Sequence, residues 1–129
     1  MADIISVLLG KEGFVHLNGA TEEQIEAAQE SLQLSFNEEY LDYNRKYGPV
    51  SFLGHELTGI CSLKRLNVVD VTNNARTLIH NIPKDWYVVE EIYMDDVFIC
   101  QNSAGTIFQI APYVEPIQIA NSICEYIDS

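Results

Sequence analysis

The densest gathering of ionisable side chains lies in VVEEIYMDDVF, where Glu90, Glu91, Asp95 and Asp96 fall within seven residues. Four carboxylates at that spacing suit two tasks: chelating a hard cation such as Mg²⁺ or Ca²⁺, or presenting a negative patch to a basic partner. Chelation meets a geometric objection. In a strand, Glu90 and Glu91 project to opposite faces and cannot grip one ion together. The group therefore reads as a polar turn with a solvated edge, not a metal site, and the same four acids form the candidate partner contact. His16, His55 and His80 show no HExxH or other local metal spacing. Cys61, Cys100 and Cys124 are odd in number and widely spaced, which supports neither a disulfide framework nor a CxxC zinc site. They read as small apolar residues of a reducing compartment. No GxSxG, Walker or GxGxxG run is present, so no catalytic residue, metal or cofactor is assigned. A small hydrolase using a Cys–His pair or the 90–96 carboxylates is the minor alternative. Trp86, just after Pro83, reads as a core or rim aromatic.

Nineteen acidic residues against seven basic ones give a net charge of −12. Residues 1–64 and 65–129 each carry −6, so the acidity belongs to the whole surface and not to a tail. Such a field disfavours direct contact with nucleic acid or an anionic membrane, both of which need clustered Lys and Arg. It favours a basic protein partner, met by fast, salt-sensitive association, or serves solubility alone. In MADIISVLLGKEG, Asp3 precedes a short apolar run and no basic segment leads it, unlike a signal peptide. Nowhere do eighteen apolar residues run together, so the expectation is a soluble, cytoplasmic chain. A length of 129 residues suits one domain over 1–129.

The elements that must position these residues follow from spacing. Thr21 and Gln24 form a T-x-x-Q capping box, and Ile25, Ala28 and Leu32 share one face, predicting an amphipathic helix ending near Leu34. Ser35 or Asn37 caps the next helix, whose Tyr40, Leu41, Asn44 and Tyr47 follow i, i+3, i+4, i+7 until Gly48-Pro49 stops it. VSFLGHELTGI reads as a short strand pair or an irregular β segment closed at Gly59. RLNVVDVTNNARTLIHNIP fits either period, and a helix through Thr77 is the reading adopted. WYVVEEIYM, VFICQ and TIFQIA form an antiparallel meander with tight turns at Asp95-Asp96 and Asn102–Gly105. Ile117 and Ile119 can extend the sheet before a last helix begins at Asn121 or Ser122. Helices first, then a meander, then one helix, without βαβ alternation, predict an α+β domain with helices packed on one face of an antiparallel sheet.

That order of motifs resembles the SUKH superfamily, named after a yeast cell-wall regulator and widespread among bacterial toxin-immunity proteins. ATEEQIEAAQESLQLSF resembles the family's first helix, and NEEYLDYNRKYGP its second, ending in a glycine turn. VSFLGHELTGI is similar to the aromatic-then-Glu-x-x-Gly segment through Glu56, Leu57 and Gly59. IPKDWYVVEEIYMDDVFICQNSAG resembles the Pro-led strand and the hairpin that follows, with Gly105 in its second turn. ANSICEYIDS resembles the closing helix, with Ser122 and Tyr126 in the usual places. Ser35 stands where many members have proline, and Tyr47-Gly48 where many have Asn-Gly. The resemblance implies a non-catalytic immunity protein that neutralises a polymorphic toxin, often a nuclease or nucleobase deaminase, by direct contact. A basic phosphate-binding cleft on such a toxin would attract an acidic surface that mimics its substrate. The alternative is a regulatory or scaffold module that recruits cellular proteins.

Overall fold

The computed structural model describes residues 3–128. Met1, Ala2 and Ser129, the outermost residues of the opening and closing runs, lie outside them. The short apolar run near the start forms helix α1 (Ile4–Leu9), which buries Ile4 and Leu8. A two-residue strand, β1 (Val15–His16), follows. Helix α2 (Glu22–Leu32) begins at the expected capping box, with Thr21 N–H donating to Gln24 Oε1 at 2.9 Å and Gln24 N–H to Thr21 Oγ1 at 3.2 Å. It stops slightly before Leu34 because Gln33 turns left-handed, with φ 59°. Helix α3 (Glu38–Lys46) is capped by Asn37 and carries acids in its first turn and bases in its last, matching the macrodipole.

The predicted strand pair is β2 (Val50–Phe52) and β3 (His55–Leu57), and β1 joins it to give the order β1-β2-β3. The ambiguous run is a helix, α4 (Val68–Leu78). Asn67 decides its start by accepting from the N–H groups of Val69 and Asp70, and Val68, Val71, Thr72 and Ala75 are buried at helical spacing. The meander is β4 (Tyr87–Ile92), β5 (Val97–Gln101) and β6 (Ile107–Ala111), extended by β7 (Val114–Ala120) where Ile117 and Ile119 suggested it. All pairings are antiparallel, in the order β4-β5-β6-β7. Helix α5 (Ile123–Asp128) closes the fold. The class is α+β, as expected.

Strand alternation sorts the sheet's apolar side chains into two clusters. Tyr87, Val89, Ile99 and Ile107 join the main core with α1, α2, α3 and α5. Trp86, Val88, Phe98, Cys100 and Ile110 face the other way and meet Val71 and Ala75, so α4 packs on the second face and the helices are not confined to the one face that the element order suggested. Trp86 is buried and stacks on Phe108 at 4.0 Å.

The α3 exit locks the two sheets together. Tyr43 donates through its hydroxyl to the Thr58 carbonyl at 2.5 Å, and Thr58 Oγ1 donates to the Val88 carbonyl at 2.7 Å. The threonine's one hydroxyl proton is thereby used, so Tyr40 is the donor in its 2.8 Å contact with Thr58 Oγ1. Asn44 is fully buried and accepts from Ile60 N–H through Oδ1 while donating to the Tyr40 carbonyl. Gly48 holds φ +69°, and a Cβ there would sit 2.3 Å from the Asn18 carbonyl oxygen.

Candidate protein-binding surface

Strand β4 carries a bulge: Val88 pairs with Cys100, but Glu90 pairs with Ile99, leaving Val89 as the extra residue. A bulge resets the alternation beyond it. Glu90 consequently turns to the main-core side with Ile99, while Glu91, opposite Phe98, turns to the other. The two glutamates do project apart.

Glu90 is 4% exposed, so its carboxylate needs partners, and it has three. Oε2 accepts from Glu56 N–H at 2.7 Å, Oε1 meets His55 Nδ1 at 2.9 Å, and Tyr126 donates its hydroxyl to Oε1. Burial first, and then this bond to the carboxylate, push the Tyr126 phenol well above its ordinary pKa. The acid ties the β2–β3 hairpin, β4 and α5 together. His55 also lies edge-on to Tyr126 at 5.4 Å.

Beyond Ile92 the hairpin reaches into solvent. Asp95 and Asp96 both hold φ 56°, which makes Met94–Val97 a turn of the primed type that aspartate tolerates. Tyr93 and Met94 are 64% and 69% exposed beside these two acids. Glu91 is partly buried, and desolvation, followed by repulsion from Asp96, raises its pKa. Next to this tip, Arg65 pairs with Glu56 at 2.5 Å, and its pKa is raised first by that bond and then by Tyr93. Leu53, 77% exposed, crowns the β2–β3 turn.

Of the four acids singled out from sequence, the fold brings Glu91, Asp95 and Asp96 to the exposed hairpin and turns Glu90 inward. The spacing of acids gave no weight to Tyr93 and Met94, although the run IYMDD places an aromatic and a thioether beside a turn, an exposure that earns the monomer nothing. Elsewhere, burial pushes the Cys124 thiol up to about 12 and the Cys100 thiol higher still. Both are protonated at neutral pH, a poor state for a nucleophile. Among the described residues no group of three or more His, Cys, Asp or Glu side chains gathers as a metal would require. No helix there is long and apolar enough to cross a membrane.

The family description "SMI1-KNR4 cell-wall" matches residues 1–128. The chain belongs to this SUKH family. A crystal structure of a protein from Pseudomonas syringae pv. tomato is similar, with a TM-score of 0.74 at 15% identity, covering 98% of this chain and 93% of that one. At that identity the likeness shows the fold alone. No curated protein sequence matches. The SUKH motif residues have packing reasons here. A Cβ on Gly59 would lie 2.5 Å from Pro49 N and 2.7 Å from Asn44 Oδ1, so the glycine of the Glu-x-x-Gly segment is where two backbones nearly touch. Ser122 Oγ accepts from Glu125 N–H at 3.0 Å at the start of α5, and Tyr126 holds Glu90.

Proposed function

We propose that this SUKH protein is a cytoplasmic immunity protein that binds a toxin domain and blocks it without catalysis. The toxin class best matched is one with a basic, phosphate-binding cleft, a nuclease or nucleobase deaminase. The observation that supports this reading is the β4–β5 tip, where exposed Tyr93 and Met94 are flanked by Glu91, Asp95 and Asp96 on a chain with no Lys or Arg after Lys84. Aromatic and Met side chains supply contact area at an interface core, and rim carboxylates steer a basic partner onto it. Glu90 serves the same surface indirectly, by fixing the hairpin that carries the tip.

The test is binding to the product of the neighbouring gene, measured against salt. Affinity should fall steeply as salt rises, with the on-rate falling most, and Asp95→Lys/Asp96→Lys should weaken it roughly tenfold or more while leaving the fold intact. Flat binding from low to high salt, or full protection of toxin-expressing cells by the double reversal, would remove electrostatic mimicry at this tip. The family's cell-wall name supports a second reading, a regulatory module that recruits cellular proteins. A neighbouring gene without a toxin domain would point there.

A further inference from the structure

Residues 97–124 carry one charged side chain, Glu115, in a chain of which 20% is charged. They build β5, β6 and β7, so three of the main sheet's four strands are nearly neutral on a protein of net charge −12. Its margin is β7, which among the described residues has a strand neighbour only on the β6 side. Every residue from Val114 to Ile119 is exposed, with Val114 at 60% and Ile117 at 54%. Tyr113, immediately before, is fully exposed and holds φ +66°. That is a left-handed backbone that bulky side chains rarely adopt, in a Pro-Tyr turn where glycine would sit unstrained. A ring standing wholly in water returns nothing to the isolated chain for that strain. Beside it a groove between Ile79 and Pro116 leaves the second sheet face open beyond α4.

We propose that the β7 face is a self-association surface and that its occupant is a second copy of this chain. Charge selects the occupant. A basic toxin is drawn to carboxylates, of which this face has one, whereas a copy bearing −12 is repelled by the rest of the molecule and meets least repulsion here. Backbone strand addition is not the mode. Pro116 has no N–H to give, and register shifts at Ile107/Phe108 and Gln109/Ala111 distort the edge, both devices that block open-ended pairing. The two copies meet through Tyr113, Val114, Ile117 and Ile119 about a two-fold axis, each presenting the same patch.

Sedimentation equilibrium of the full chain is expected to show the mass rising with concentration from 14.6 kDa toward twice that value. Added salt should tighten this association, because it screens repulsion between like-charged copies. Ile117→Asp should raise the dissociation constant tenfold or more. Tyr113→Gly should do the same while raising the unfolding midpoint of the dilute monomer, a pairing that a purely local effect would not give. Asp95→Lys/Asp96→Lys should leave the dimer in place, so this inference and the immunity reading can fail separately. The monomer mass at every concentration up to about 1 mM overturns the proposal, as does a dimer that survives both the Ile117 and Tyr113 changes. A monomeric parent whose toxin binding is lost in Ile117→Asp also overturns it and assigns the face to the toxin.

Discussion

Glu90 and Asp95 are five positions apart in one acidic run and have opposite fates, one buried against three donors and the other free at a turn. Removing Glu90 leaves Glu56 N–H, His55 and Tyr126 facing an empty site. Glu90→Ala should therefore cost about 3 kcal/mol of folding stability, since unpaired buried polar groups incur their full desolvation penalty. Glu90→Gln keeps the volume and one acceptor oxygen but sets an amide N–H₂ against donors, so a loss of about 1–2 kcal/mol is expected. Denaturant unfolding checks both values, and equal midpoints for parent and Glu90→Ala would mean that the network carries no load. The sequence could not distinguish the two acids. YVVEEI shows the β period but nothing in it marks Val89 as the extra residue of a bulge, and one extra residue decides which glutamate is inside. His55 showed no local metal spacing in the sequence, and its structural role was hidden because its partner lies 35 positions away in the chain.

Local chemistry announced most of the helices and turns. The Thr21/Gln24 box, the Asn37 cap and the Gly48-Pro49 stop are backbone requirements met by neighbouring residues, and each appears where its residues stand. The left-handed φ of Gly48 alone would make Gly48→Ala cost about 1 kcal/mol. Its approach to the Asn18 carbonyl, at 2.3 Å from where a Cβ would lie, adds a backbone clash, so a loss of about 3 kcal/mol is expected in thermal or denaturant unfolding. A loss near 1 kcal/mol would mean that the Asn18 segment moves aside. That contact, like β1 and α1, was not legible, because a two-residue strand and a six-residue helix have too little periodicity to read and owe their existence to what they pack against. Strand β7 was visible only as Ile117 and Ile119, and its lack of an outer neighbour is a matter of strand order, which alternation does not encode.

Across the molecule, burial raises the pKa values of the Tyr40, Tyr43, Tyr87 and Tyr126 phenols and of the Cys100 and Cys124 thiols. In the unfolded chain these groups lose protons from about pH 9 for thiols and pH 10 for phenols, while in the folded chain they hold them. Their contribution is complete below pH 9 and declines as pH rises, because unfolding then releases protons. The unfolding midpoint should be insensitive to these groups between pH 6 and 8 and fall increasingly above pH 9, which scanning calorimetry over a pH series would show. A midpoint unchanged at pH 11 would contradict their burial. The acidity of the surface was legible from composition. The scarcity of charge in residues 97–124 is legible there too, but that these residues lie side by side as β5, β6 and β7 needed the sheet order. Glu39, early in α3, spends its carboxylate on the N–H groups of Ile123 and Cys124, which lie 84 and 85 positions later, and Lys11 pairs with Asp128 across 117 positions. A ribosome delivers the first of each pair long before the second, so Glu39 and Lys11 emerge before these partners exist. The contacts that tie α3 and Lys11 to the end of the chain close only after the final helix has been made.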